Sequence, residues 1–488
     1  MLAKSREPTP AVLHRDQPRL CQIWASLRTS EGMRTDLSTF HRQVRERRER
    51  SVTNVEPVAL ERLTGWSIEE RTGALRHHTG GFFAVEGLEV AIPGNAVEHW
   101  SQPVLHQPET GILGILVKEL DGVLHCLMQL KEEPGNCTGF QLSPTVQATR
   151  SNYTGMHNGR SVPYLDYFRN PDRHHVLADV RQSEQGAWFL RKRNRNMIVA
   201  VTADVDVTPE DGFHWLTLGQ VHQLLSSTDL VNMDTRTVLS CLPLSGSDPE
   251  HPPSAAQDPF RAALLRSCDE QQGSMHSLGD ILSWVTDVRT QTDVRLSPAP
   301  LDRLPAWHRN DGRISHRSGH FFDVIGVHVE APEREVPWWE QPMISARSTG
   351  LVAFLTTRIQ GVLHVLLQLR TEPGYVDTAE LAPTVQCAPE NYTCLPAAAR
   401  PPFLDEVLTA DPGRVRFDTT LSEEGGRFYH TRNRHLIIES DEVLTHPDFR
   451  WMTLHQLTEL MRHSNYINVE ARSLVACLRA CALPASTT

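Results

Sequence analysis

The strongest constraint on this chain is that it writes one pattern twice. GVLHCLMQLKEEPGN at 122–136 returns as GVLHVLLQLRTEPGY at 361–375. Gly81-Phe82-Phe83 aligns with His320-Phe321-Phe322, Pro144-Thr145-Val146-Gln147 with Pro383-Thr384-Val385-Gln386, and Arg193-Asn194-Arg195 with Arg432-Asn433-Arg434. The offset is 239 residues in each case, and 122–154 matches 361–393 at 18 of 33 positions. It becomes 241 upstream (Trp66 with Trp307) and 236 downstream (Trp215 with Trp451). Solenoid repeats run about 20–50 residues, so this period is a domain duplication.

The expected organisation is an N-terminal arm at 1–34, a first repeat at 35–242, a linker at 243–271, a second repeat at 272–482 and a tail at 483–488. The linker rests on PLSGSDPEHPPSAAQDP at 243–259, a composition that resists packing. Within each repeat the pattern is mixed. Two apolar runs flank Leu120-Asp121-Gly122, and again Gln360-Gly361, which predicts hairpins. MIVAVTADV and LIIES read as further strands, and the segments after Thr217 and Thr453 as amphipathic helices. The fold class is therefore α/β (α+β), two tandem domains, each a mixed sheet between helices.

A net charge of −11 argues against broad phosphate-backbone binding, so no nucleic-acid partner is expected. The basic stretch HRQVRERRERS at 41–51 reads as a solvated helix face, with RNA or membrane contact as the alternative. No apolar run is long enough to span a bilayer, and the N-terminal sequence lacks a signal-like apolar core. Nine scattered cysteines without a CxxC pair fit reduced thiols and a cytoplasmic location.

Apolar residues repeat because a core needs them; charged and amide residues kept in both copies ask for another reason. Glu133 and Glu372 close an apolar strand in Glu-Pro-Gly, either as a general base or as an acceptor for turn amides. Lys131 and Arg370 keep a cation beside them, for phosphate or for solubility. Thr145 with Gln147, and Thr384 with Gln386, sit two apart and share a strand face. Arg193, Asn194 and Arg195, with Arg432, Asn433 and Arg434, form the strongest polar signal, suited to gripping a diphosphate. Tyr153 and Tyr392, in repeated Asn-Tyr-Thr, suit base stacking or core packing, and Trp66, Trp100, Trp307 and Trp339 join the nucleotide-sugar-binding candidates. His125 and His364 read as core histidines. Neither GxGxxG nor GxxxxGK[ST] occurs, and His77-His78 and His174-His175 lack zinc-ligand spacing.

Two tandem copies of strand-QLxxEPG, PTVQ, NYT and RNR resemble the NDP-hexose 2,3-dehydratases of deoxysugar and antibiotic biosynthesis, over roughly residues 35–482. The resemblance implies a duplicated Nudix-like fold, a homodimer, a dTDP-4-keto-6-deoxyhexose substrate that loses its C2 hydroxyl, and no metal or organic cofactor. Neither copy carries the REx₂EEx acidic helix with which Nudix hydrolases bind magnesium. Pyrophosphate hydrolysis and catalytically inert nucleotide-sugar binding remain the alternatives. A carboxylate or histidine would take the C3 proton, with Glu133 and Glu372 the base candidates; because Lys131, Glu132 and Asn136 face Arg370, Thr371 and Tyr375 beside the kept residues, two dTDP-binding pockets are expected, of which one turns over.

Overall fold

The computed structural model describes residues 17–483 apart from 33, 150–161, 245, 247–257 and 335. Tyr153 lies outside the described residues. The expected hairpins form: Gly111–Leu120 pairs antiparallel with Val123–Glu132, and Gly350–Ile359 with Val362–Thr371. Asp121 and Gly122 hold φ of 53° and 80°, and Gln360 and Gly361 hold 51° and 80°. This double left-handed turn matches the strand twist, and Asp or Gln followed by Gly suits it. These strands are apolar without alternation because both sheet faces are covered.

Each hairpin anchors a seven-stranded mixed sheet. In the first repeat His175–Ser183 pairs with Arg193–Val201, which runs parallel to Gly111–Leu120, and Phe213–Thr217 closes the far edge. The second repeat matches it strand for strand, with Arg432–Glu439 parallel to Gly350–Ile359.

A five-stranded sheet in each repeat is completed by the other. Asn54–Val58 pairs with Phe322–Glu330 of the second repeat, and Arg295–Ala299 with Ala84–Ala91 of the first. Both exchanged strands sit at a sheet edge and carry proline (Pro57, Pro298), which an edge tolerates because one side needs no amide donor. The two copies are thus interlocked.

The seam is polar where it is most deeply buried. Helices Met233–Ser240 and Val469–Ala480 pack together across it. The Arg236 guanidinium donates to Ser422 O, Val231 O and Ser473 Oγ; Arg472 donates to Ser183 O, Ile467 O and Thr237 Oγ1. The two sets exchange under the 239- and 236-residue offsets. Both arginines are wholly buried, so these bonds offset a large desolvation cost.

Two further helices lie where an arm and a linker are expected. Gln17–Arg28 and Pro259–Ser267 each pack on a central hairpin. Ser26 Oγ donates to Leu124 O and accepts from Leu218 N; Ser267 Oγ does the same with Leu363 O and Leu454 N. FRAALLRS carries the apolar face that docks, which the neighbouring Pro- and Ser-rich run obscures. Basic helix Leu37–Arg50 buries Phe40 and Val44, and Arg48 donates to Thr138 Oγ1 and Phe140 O. His125 and His364 are core residues whose Nδ1 faces a strand carbonyl two residues earlier. Among the described residues, no helix is long and apolar enough to cross a membrane.

Candidate active site

The Glu-Pro-Gly turns do more than end a strand: each is plugged into the opposite repeat. Gly135 N donates to Gly425 O at 2.7 Å, and Gly135 O accepts from His430 N at 2.9 Å. Gly374 makes the matching pair with Gly186 O and Arg191 N, each at 2.8 Å. A β-carbon on either glycine would lie 1.8 Å from a carbonyl oxygen of the other repeat, Phe428 O or Phe189 O. The glycines are needed for close approach, and the approach puts Glu133 and Glu372 at the junction.

A cavity of about 860 Å³ opens over the first repeat's turn, lined by both repeats. Its floor holds Lys131, Glu133, Gln147, Asn194, Glu184, Lys192 and Asp234; Glu424 and Arg427 enter from the second repeat. Its mouth is aromatic, with Trp66, His77 and Phe82 facing Arg334, Trp338 and Trp339. Trp338 is 48 % exposed and Phe82 37 %, an unusual cost for a surface without a ligand.

The floor is organised around Glu133. Lys131 Nζ lies 3.2 Å from its carboxylate, and Gln147 Nε2 donates to it at 2.9 Å. Asn194 Nδ2 donates to Glu184 at 2.7 Å, while its Oδ1 accepts from Gly111 N. Glu184 and Asp234 are almost wholly buried, and burial raises both above the ordinary carboxylate range. Burial, then the Glu133 charge, raises Glu424 to about 7. Burial lowers the Lys192 ammonium to about 8 against the pull of Glu184. Four carboxyl groups and three cations held this close give both proton donors and proton acceptors near neutrality, the condition for acid–base chemistry.

The symmetry-related turn in the second repeat is held differently. Glu372 is held by Arg370 at 2.8 Å and Gln386 at 3.3 Å, and Asn433 donates to Glu423. Tyr375, 5 % exposed, stands where the first repeat has Asn136, and its hydroxyl accepts from Asn468. Lys192, Glu424 and Arg427 have as counterparts Thr431, Gln185 and Trp188. Three ionisable positions of the first pocket are neutral at the sequence-related positions.

Several predicted residues stand apart from the first repeat's cavity. Arg193 and Arg195 face away from it: they are two apart on a strand whose intervening Asn194 points in. Arg195 forks onto Asp179 and Arg434 onto Asp418, both on the neighbouring strand, and Arg432 lies 3.4 Å from buried Asp229. In the repeated Arg-Asn-Arg it is the asparagines that reach the interior, Asn194 at the cavity and Asn433 at buried Glu423. Thr145 and Thr384 are wholly buried; each accepts a strand amide (Leu116 N, Leu355 N) and donates to a strand carbonyl (Leu127 O, Leu366 O). Trp100 donates to Gln102 and packs in a small core, and Trp307 donates to Ser101 O. Tyr392 lies near Arg370 and Glu372 in the second repeat. Trp66, Lys131, Glu133, Gln147, Asn194 and Trp339 converge on the one cavity.

Glu184, Lys192, Asp234, Arg334, Trp338, Glu424 and Arg427 were not singled out by the sequence reading. A signal existed for some of them: SEQGA at 183–187 against SEEGG at 422–426 keeps Glu184 as Glu423 but changes Gln185 to Glu424. Kept residues drew the reading, whereas here the changed ones separate the pockets.

A family model for NDP-hexose 2,3-dehydratases matches residues 37–242 and 278–478. Among curated proteins, dTDP-4-dehydro-6-deoxy-alpha-D-glucopyranose 2,3-dehydratases are similar over nearly their whole length. The protein from Saccharopolyspora spinosa is 50 % identical over 90 % of each chain, and that from Amycolatopsis orientalis 44 % over 94 % of each. A third, from Streptomyces violaceoruber, is 44 % identical over 91 % of this chain and 97 % of its own. With both repeats matched and the interlocked two-repeat architecture in place, this chain belongs to the NDP-hexose 2,3-dehydratase family.

Proposed function

We propose that this chain is a hydro-lyase that removes the C2 hydroxyl of dTDP-4-keto-6-deoxyglucose, in the pocket of the first repeat. The substrate follows the names of the relatives. The choice of pocket rests on one observation: Lys192, Glu424 and Arg427 face the first cavity, while Thr431, Gln185 and Trp188 occupy the related positions. The aromatic mouth suits a thymine ring, and Arg334 at the same mouth suits the diphosphate.

The 4-ketone acidifies the C3 proton. Glu133 abstracts it, and the enolate charge at the C4 oxygen is met by the cations of the floor. The C2–O bond then breaks, water leaves, and the C3 enol tautomerises to a 3,4-diketo-2,6-dideoxy sugar still attached to dTDP. Glu372, fixed by Arg370 and crowded by Tyr375, takes no part.

The test is incubation with dTDP-4-keto-6-deoxyglucose, with the 1,2-diketone trapped by an aromatic diamine and mass-analysed. Loss of one water with dTDP intact is expected. Release of dTMP would instead support a sugar-nucleotide pyrophosphohydrolase, and binding without turnover an inert binding module. Glu133→Gln should lower kcat by about 10²–10⁴-fold, whereas Glu372→Gln should leave it within a few-fold. The reverse pattern would place the chemistry in the second repeat.

A further inference from the structure

Abstraction at C3 leaves the second half of the elimination without an agent, because hydroxide is a poor leaving group and a proton must reach the C2 oxygen. We propose that Glu424, carried by the second repeat into the first repeat's pocket, is the acid that protonates the departing hydroxyl. This inference rests on the proposed reaction.

The argument begins with access. Of the carboxyl groups that line the cavity, Asp234 and Glu184 are 2 % and 5 % exposed, Glu184 is further held by Asn194, and Glu109 accepts from Gln107. Glu133 and Glu424 are partly exposed, line the cavity and lie on the two turns that meet there. They sit on turns in direct contact: Gly135 N donates to Gly425 O, and a β-carbon on Gly425 would lie 2.9 Å from that of Glu133. A sugar bound over the junction therefore has one carboxyl group from each repeat beside it.

Their surroundings differ in the sense the reaction needs. Glu133 takes donors from Lys131 and Gln147, which suits a base. Glu424 receives Gly426 N at 2.8 Å. Glu133, Glu184, Asp234, Lys192 and Arg427 are the charged groups that face Glu424; burial and the Glu133 charge outweigh Arg427, so that it holds a proton near neutrality. The balance is complete. Glu133 gains the C3 proton, the C3–H electrons form the C2=C3 bond, the C2–O electrons leave with oxygen, and the Glu424 proton completes the water. Proton transfer through solvent then resets both carboxyls while the enol ketonises.

The chain supplies its own comparison, since the position related to Glu424 is the amide Gln185. A glutamine is accommodated by this turn, so Glu424→Gln should fold. The experiment uses the full-length protein with dTDP-4-keto-6-deoxyglucose in deuterium oxide, following C3 deuteration by NMR and water loss by mass. Glu424→Gln should lower water loss by about 10²–10⁴-fold, keep substrate binding, and still exchange the C3 proton. It should also lose the alkaline limb expected of the wild type near pH 7 in kcat/KM. Glu133→Gln should lose exchange and elimination together. Wild-type water loss by Glu424→Gln, or loss of C3 exchange matching Glu133→Gln, would overturn the assignment. A wild type that neither exchanges nor eliminates would instead sink the underlying reaction.

Discussion

Gly135→Ala isolates the junction between the repeats. The added β-carbon would lie 1.8 Å from Phe428 O and 2.8 Å from Gly425 O. A comfortable C···O separation is about 3.3–3.6 Å, so the turn must retreat by about 1.5 Å. Both obstacles are backbone, and no side-chain rotation relieves them. Retreat stretches the bonds Gly135 N to Gly425 O and His430 N to Gly135 O, each worth about 0.5–1.5 kcal/mol, and overpacking adds about 1–3 kcal/mol. The expected loss is therefore about 2–6 kcal/mol. Gly374→Ala meets Phe189 O at the same distance and should behave alike. Gly122→Ala is the control: φ is +80° with nothing within 4 Å, so only left-handed strain of about 1–2 kcal/mol applies. Urea unfolding followed by circular dichroism reads all three. Midpoints for Gly135→Ala and Gly374→Ala no lower than for Gly122→Ala would refute the claim that the turns lock the repeats together.

Two other outcomes are expected. Arg195→Ala and Arg434→Ala break exposed pairs with Asp179 and Asp418, each worth about 0–1 kcal/mol, so steady-state turnover should stay within a few-fold of wild type; a hundredfold loss would return these arginines to the substrate. Burial holds His222 at about 4 and His435 at about 3, below the ordinary 6.5, so the unfolded chain gains protons first as pH falls. Stability should drop between pH 6.5 and 4 by roughly 3 kcal/mol per histidine, and His222→Gln with His435→Asn should flatten urea midpoints between pH 7 and 5. An unchanged acid slope in the double variant would show that other groups set it.

The duplication, the mixed sheets and the left-handed hairpin turns at Asp121-Gly122 and Gln360-Gly361 were legible because they rest on local pattern. The repeated Glu-Pro-Gly was legible as a turn, but why its glycine is kept in both copies was not, since the carbonyl it approaches lies 293 residues away for Gly135 and 185 for Gly374. In Arg-Asn-Arg the sequence left open which residues face inward. Strand alternation allows either the arginines or the asparagine to point inward, and only the neighbouring strand, with Asp179 and Asp418 waiting outside, decides it.

Sequence alone determined that two copies of one domain are present and which polar residues each keeps, because repetition records what both copies need. Tertiary structure decided that the copies exchange edge strands, that each turn docks in the other's backbone, and that Glu424 and Arg427 belong to the first repeat's pocket although they are written in the second. The physical reason is that a pocket is assembled by backbone hydrogen bonds and close packing across a seam. Those contacts depend on where two distant segments meet, a quantity that no local periodicity encodes.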